Sequence, residues 1–478
     1  MSTPNFPDRE DLEFLPLGRR LRRYWRLTGP GYMQSAMTLG AGTIASCAVL
    51  GSLLGYELLW VQPVGMLLGF FLLAAVAKQT CQTGERPYRA FWERLHPLLA
   101  VLWGASAFVA TILWHVPQYS LTADGIVTLA AGIGIDLGST GARLGIGAGV
   151  LLLAVWVVQL YGAGARGLQI YERAVKALVW LIVVSFLVVV LGTGVRWGPL
   201  VRGLTGVTFL RDLLDGDGLD RRAISPIVGG IAATVGINMV FLYPYSVLRK
   251  GWGRRHEELA YFDLATGMVL PFVLATGFMV LAVANTIGPA EGQTAGQSVQ
   301  DIRQVVPVLK PTFGALVGEA LGGGLALLIV GLGMTAIGFS TIITHMLASG
   351  FIGGEMAGLP ADSRGRRWFA MAPATGVVGV VAAAPLTVAI TASTLAAPLM
   401  PVTVVCFLVL MNRRSYLGEA TPRGIRRLVW NGGLGLAAAA LTVNACFALR
   451  ANWEKLHGEP GPAPAPAAPP AASPEPGK

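Results

Sequence analysis

Charge is what this chain has least of: only 13% of its 478 residues are Asp, Glu, Lys or Arg, about half the share usual in a soluble domain. A water-solvated fold is therefore excluded, and the bilayer is the expected solvent. Cysteine is also scarce. Cys47, Cys81, Cys406 and Cys446 show no CxxC spacing, so neither a disulfide framework nor a thiolate metal site is signalled, and they read as small apolar fillers. There is no Walker loop, no HExxH and no pair of catalytic carboxylates beside a cleft, which leaves ATP-driven or hydrolytic chemistry without support and implies no enzyme and no cofactor. The acidic run Asp215-Gly216-Asp217-Gly218-Leu219-Asp220 lacks an oxygen ligand at Leu219 and the closing Glu of a calcium loop, and reads as a solvated loop. A cleavable signal peptide is not expected, since polar residues open the sequence and the first apolar run is too long for one.

What fills the chain instead is apolar sequence, 54% of the residues. It falls into eleven runs of membrane-spanning length, near 31–54, 58–77, 98–119, 144–161, 177–191, 227–245, 264–287, 316–346, 368–385, 386–411 and 428–449. The expected fold class is all-α integral membrane with eleven transmembrane helices. The net charge of +10 does not call for nucleic acid, because the cations sit in short loops on alternate sides of the runs. If Arg19, Arg20, Arg22 and Arg23 are cytoplasmic, the same side receives 78–94, 166–176, 249–255, 364–367 and 413–427. The reading is a multi-pass protein of a bacterial-type inner membrane, N-terminus inside and C-terminus outside. The Pro- and Ala-rich stretch from Gly458 cannot bury enough apolar surface to fold and is expected to be a disordered tail.

Two runs carry small residues at mid-membrane depth. In the first, Leu39-Gly40-Ala41-Gly42-Thr43 places two glycines there; in the sixth, Ala233-Thr234-Val235-Gly236-Ile237-Asn238 precedes Pro244. Interrupted helices at matching positions of two halves point to a transporter built from inverted repeats, with its substrate between the broken ends. Small residues also serve plain helix packing. On the transporter reading, 1–24 is a cytoplasmic segment, 25–195 the first repeat of five helices, 196–412 the second, 413–450 an eleventh helix and 451–478 the tail, a LeuT-type 5+5 arrangement with helices 1 and 6 interrupted.

Gly29-Pro30-Gly31-Tyr32, then Gly55-Tyr56-Glu57-Leu58-Leu59-Trp60, the stretch from Arg166-Gly167 to Glu172, Ala233-Thr234-Val235, Ser340-Thr341 and the Leu417-Gly418-Glu419 turn together resemble the Nramp family of proton-coupled divalent-metal transporters, over roughly residues 25 to 450. The resemblance implies alternating access and a substrate at the two breaks. It also implies metal ligands that this chain departs from. The family's Asp-Pro-Gly-Asn falls on Gly40, Ala41, Gly42 and Thr43, its Ala-Thr-Val-Met-Pro-His falls on Ala233 to Asn238, and its acidic third-helix stretch falls on Trp114-His115-Val116-Pro117-Gln118-Tyr119. A dication is costly to dehydrate without anionic ligands, and a thioether is what favours softer metals.

Backbone oxygens at Gly40, Ala233 and Gly236, with Gly42, the Thr43 hydroxyl, the Asn238 amide and Ser393, remain as a neutral substrate set. Such a set suits a hard ion that keeps its waters, magnesium above all. An organic solute remains an alternative, since Gly40-Ala41-Gly42 could offer backbone N–H groups to a carboxylate, and a non-transporting sensor or scaffold is a third. His115, ionisable and deep in an apolar run, is a proton-relay candidate or a helix-helix hydrogen bond. Thr43 and Ser46 could instead cap the broken helix, Gln34 and Thr394 could line the cavity, and Asp263 and His345 are expected in structural or gating roles near helix ends. The partners implied are the lipid bilayer, a small ion or solute and a coupling proton.

Overall fold

The computed structural model describes residues 16–207, 209, 211, 221–289, 306–360, 363–381 and 397–457, and all regular structure among them is helical. In chain order the helices are α1 (Leu17–Leu27), α2 (Pro30–Thr38), α3 (Ala41–Leu54), α4 (Val61–Thr83), α5 (Pro87–Arg94), α6 (Pro97–Gly132), α7 (Thr140–Gly162), α8 (Gly164–Thr193), α9 (Trp197–Thr205), α10 (Arg221–Ala232) and α11 (Ile237–Arg249). They continue as α12 (Glu257–Leu264), α13 (Leu270–Thr286), α14 (Val306–Val317), α15 (Glu319–Met356), α16 (Arg364–Met371), α17 (Leu399–Met411), α18 (Arg414–Leu417) and α19 (Gly424–His457). Eight helical segments of the described residues are long and apolar enough to cross a membrane, and nine with the bent pair α2 and α3 counted as one. The ninth and tenth of the eleven expected spans are described only in part, as α16 with the tight helix Ala372–Val381, and as α17. Ser393 and Thr394 lie outside the described residues, as does the tail beyond 457. The last helix runs to His457, past the boundary expected at 450.

Two expected loops are helix instead. The polar stretch 166–176 forms the first turns of α8, and the third apolar run does not end at Tyr119 but continues to Gly132. Both extensions put charges inside helices, and the acidic ones have partners: Glu172 meets Lys250, and Asp124 meets Arg143 at 2.7 Å. Pairing is what makes such burial tolerable.

The core runs between α6 and α15, which approach closely because glycines face small groups. A Cβ at Gly125 would lie 2.5 Å from the Thr335 hydroxyl, one at Gly338 would lie 2.1 Å from that of Thr122, and one at Gly331 would lie 2.7 Å from the Leu129 nitrogen. With no hydrophobic drive between helices in lipid, such backbone contact is what holds them together.

The cationic loops gather at one end of the bundle. Lys78 pairs with Glu257, Arg86 with Glu355 and Arg20 with Glu258, while Arg254 donates to the Gln82 carbonyl and Arg413 to that of Arg94. Here α2 is clamped. Pro30 supplies no N–H at the first helical position, and the N–H groups on either side of it, Gly29 and Gly31, donate to the two oxygens of Asp263 at 2.7 and 2.6 Å. Lys250 bonds the Leu27 carbonyl at 2.8 Å and Glu172 at 2.9 and 3.0 Å, and Lys176 holds Thr28. Glycine is required twice, because a Cβ at Gly29 would lie 2.3 Å from Glu172 Oε1 and one at Gly31 would lie 2.2 Å from the Asp263 carbonyl. A π-helical turn, Ala265–Val269, begins two residues after Asp263 and packs on Tyr32 through Gly267. At the opposite end the Tyr56 hydroxyl donates to Asn285 at 2.7 Å, and Asn285 donates to Gly194 and Thr193. The α2–α3 unit is thus tied down at both ends.

Candidate functional site at the two helix breaks

Helix 1 bends by 58° between α2 and α3. Leu39 (φ −74°, ψ 69°) makes an inverse γ-turn, with the Gly40 N–H on the Thr38 carbonyl at 2.8 Å, and Gly40 is extended at φ −119°, ψ −173°. A break in mid-bundle frees backbone groups that lipid cannot satisfy, and side chains from three helices take them up. The Thr341 hydroxyl of α15 lies 2.9 Å from the Ala36 carbonyl and 3.3 Å from that of Leu39. The Ala41 N–H donates to Gln118 Oε1 of α6 at 3.0 Å. The Thr43 hydroxyl reaches back to the Thr38 carbonyl at 2.5 Å.

Helix 6 is interrupted between α10 and α11, with Ala233–Gly236 outside both. The two breaks are laced together: the Thr38 hydroxyl donates to the Thr234 carbonyl at 2.7 Å, with that of Ala233 at 3.4 Å. The Thr234 hydroxyl caps α10 through the Ile231 carbonyl, and the Gly236 N–H, at the start of α11, points at the Met239 sulfur at 3.2 Å.

Around this seam several buried polar atoms have no hydrogen-bond partner among the described residues: both amide atoms of Gln34 on α2, Asn238 Nδ2 on α11, the Tyr119 hydroxyl on α6 and His345 Nδ1 on α15. Their residues are at most 3% exposed. Buried polar groups left unpaired are rare in native structures, so each of these is a place where a polar ligand or water can be received. Trp114 links them, lying 3.3 Å from where a Gly236 Cβ would be and stacking on His345 at 6.5 Å between centroids.

The residues expected at the site are placed as follows. Gly40 lies at the break, where a Cβ would meet Gln118 Nε2 at 3.0 Å and the Thr341 hydroxyl at 3.4 Å; a Cβ on Gly42 would meet nothing within 4 Å. Asn238 sits at the head of α11, 1% exposed. Thr43 spends its proton on closing the break, and Ser46 accepts from Gln62 at 3.1 Å rather than capping. His115 is fully buried with both ring nitrogens on carbonyl oxygens, those of Pro373 and, at 3.2 Å, Ile342. His345 belongs to this level too, 5.8 Å from the His115 ring, not to the helix end. Among the described residues no three of His, Cys, Asp and Glu gather as a metal cluster.

Gln118 and Thr341 escaped the sequence reading as site residues. A neutral amide in the third-helix stretch carries no signal of its own. Thr341 stood only as half of a weak dipeptide motif. Asp124 escaped because the apolar run was ended five residues before it.

A helix broken at mid-bundle, laced to a second break and sealed at both ends is the architecture of a LeuT-type membrane transporter. In support, the fold overlays on a crystal structure of the Eremococcus coleocola manganese transporter with a TM-score of 0.71, at 15% identity, over 94% of this chain and 91% of that one. It also overlays on a nucleobase-cation-symport-1 family transporter in a closed conformation, with a TM-score of 0.54 at 13% identity, over 90% and 93%. The family described as Nramp, natural resistance-associated macrophage protein-like, matches residues 31–448, and the chain belongs to that family. Among its relatives are the divalent metal cation transporter MntH of Brucella suis, 26% identical over 78% of this chain and 75% of that protein, and the human natural resistance-associated macrophage protein 1, 24% identical over 70% and 60%.

Proposed function

We propose that this protein carries a divalent metal ion across the membrane by alternating access, that the ion binds between the two helix breaks through neutral oxygens, and that a hard, partly hydrated ion such as magnesium is preferred to manganese or iron. The observation that carries this reading is a set of buried neutral groups without a partner among the described residues, the Gln34 amide, Asn238 Nδ2, the Tyr119 hydroxyl and His345 Nδ1, on helices that contribute to or pack against the Gly40 and Gly236 breaks. Under the register the family resemblance implies, position 40 would carry an Asp. Here the Gln118 amide fills the space beside it, its nitrogen 3.0 Å and its oxygen 3.4 Å from where a Cβ would lie, so that an uncharged amide stands near where a carboxylate would project. Oxygens without charge do not replace an ion's inner water shell, and an ion that dehydrates reluctantly is the one they suit.

The Ala233 backbone oxygen, the Gly42 side of the cavity and the Asn238 amide are the contacts assigned to the ion, with Ser393 assigned from the sequence alone; the Gly40 and Gly236 carbonyls, also expected there, instead accept the first N–H groups of the helices they cap, Thr43 and Ile44 at 3.1 Å and Met239 and Val240 at 3.0 and 3.3 Å. Thr43 contributes an acceptor oxygen while its proton keeps the break closed. His115 is assigned to proton coupling: its two carbonyl acceptors are both satisfied only when both ring nitrogens carry protons. The titratable groups facing it are His345 from α15 and Tyr119 from its own helix. An anionic organic solute is disfavoured by one contact, because the Ala41 N–H that such a carboxylate would need is already held by Gln118. The N-terminus is assigned to the cytoplasm with the cationic end of the bundle.

The test is uptake into proteoliposomes of magnesium, manganese and mixed amino acids, with and without a pH gradient, for wild type and Gly40→Asp. Magnesium entry in wild type, moving toward manganese in Gly40→Asp, is expected. Amino-acid uptake without metal flux would overturn the reading.

A further inference from the structure

On the outer face of the bundle, at its cationic end, a cavity of about 330 Å³ opens between α4, α12 and α19. Its walls are Phe70, Phe71, Ala74, Trp430 and Tyr261, with Arg426 at the rim. The aromatic wall is ordered: Phe71 meets Trp430 edge-on at 6.4 Å, and Tyr261 lies 6.2 Å from the same indole. The Tyr261 hydroxyl donates to Glu257 at 2.6 Å, in the polar layer where Lys78 and Gln82 also bind Glu257. The apolar part of the cavity therefore lies toward the middle of the membrane and its polar lip at the cationic end.

Arg426 differs from its neighbours. Arg423 and Arg414 share Glu419, and Arg427 donates to Asn412 at 2.9 Å, whereas Arg426 has no hydrogen-bond or ion-pair partner among the described residues. The helix surface beside it is apolar and outward-facing, with Ile425 71% and Leu428 68% exposed. An unpaired guanidinium above an apolar, aromatic-lined groove, at the depth where Trp and Tyr mark a membrane interface, matches one kind of molecule: a cation for a phosphate, and walls for a hydrocarbon chain.

We infer that this groove is a binding site for an anionic phospholipid, its phosphate on Arg426 and one acyl chain against Phe70, Phe71 and Trp430. A lipid held there staples the last helix, α19, to α4 and α12, neighbours it meets mainly through side chains such as Phe71 against Gly433. The site lies on the lipid-facing surface, away from the helix breaks, and stands independently of what the protein transports.

The test reads the contact directly, through quenching of Trp430 by brominated lipids in proteoliposomes, taking the difference between wild type and Trp430→Phe as the Trp430 signal. Brominated phosphatidylglycerol should occupy the groove in preference to brominated phosphatidylcholine by about fivefold, the effect of one cationic side chain at an anionic headgroup. In Arg426→Gln, an exposed position whose replacement leaves packing intact, the preference should vanish while quenching by both lipids persists. Equal quenching by the two lipids in wild type, or a preference that survives in Arg426→Gln, would overturn the site, and so would absence of quenching by either, which would mean that protein covers the groove. Should Trp430→Phe fail to fold, mass spectrometry of the lipid retained by purified wild type and Arg426→Gln decides the same point: equal retention of phosphatidylglycerol refutes it.

Discussion

The clamp at the cationic end and the seam at the helix breaks use opposite chemistry on the same helix. At the clamp, α2 is held by Asp263, Glu172, Lys250 and Lys176, charged groups whose partners are all in place. At the seam a few turns away, the side chains are neutral and several remain unpaired. Buried charge is tolerated only when fully matched, so the clamp reads as structure. An unmatched neutral group costs about 1–3 kcal/mol, less than an unmatched buried charge, and on the proposed reading the seam is where a ligand meets that unmatched set. Charge inside a membrane protein is therefore not by itself the mark of the binding site; the distribution of satisfied and unsatisfied groups separates the two roles.

The comparison breaks most visibly at the clamp. Lys250→Met strands Glu172 beside Gly29, and a loss of about 3–5 kcal/mol of stability is expected, read as a fall in the melting temperature of the purified protein. Asp263→Ala orphans the Gly29 and Gly31 N–H groups and should cost about 3 kcal/mol; a melting temperature equal to wild type would show that α2 is not anchored there. At the seam the expected losses of stability are smaller. Gln118→Ala removes the acceptor of the Ala41 N–H and should destabilise by about 1–3 kcal/mol, less than either clamp variant, while widening the cavity beside Gly40. His115→Gln should leave folding nearly intact and flatten the pH dependence of transport; an unchanged pH profile in that variant removes the histidine from proton coupling.

Much of the architecture was legible from the sequence because it is written in local composition. Apolar runs bounded by cationic loops mark the spans, and the glycines at Gly40 and Gly236 mark where helices 1 and 6 stop. The Gly29-Pro30-Gly31 motif stands in the sequence only as part of the family resemblance, since the partner that explains it, Asp263, lies 232 residues from Gly31. What closes the break at Gly40 was not legible, since Thr341 is 305 residues from the Ala36 carbonyl it bonds, and Gln118 is 77 from Ala41. A hydroxyl or an amide in an apolar helix looks the same whether it bonds its own preceding turn or another helix. Asp124 was missed for a related reason: its neutralising partner, Arg143, sits beyond the next loop, so hydropathy alone ends the helix too early.

Asn238→Ala in proteoliposomes tests the central claim most directly, with magnesium influx and melting temperature measured on the same preparation. The account predicts that influx falls at least about tenfold, the loss of one polar contact to the ion, while the melting temperature stays within a few degrees of wild type, because the amide nitrogen lost has no partner in the protein. Unchanged influx, or a collapse in stability like that expected of Lys250→Met, would show that Asn238 belongs to the framework and that the seam is not where the ion binds.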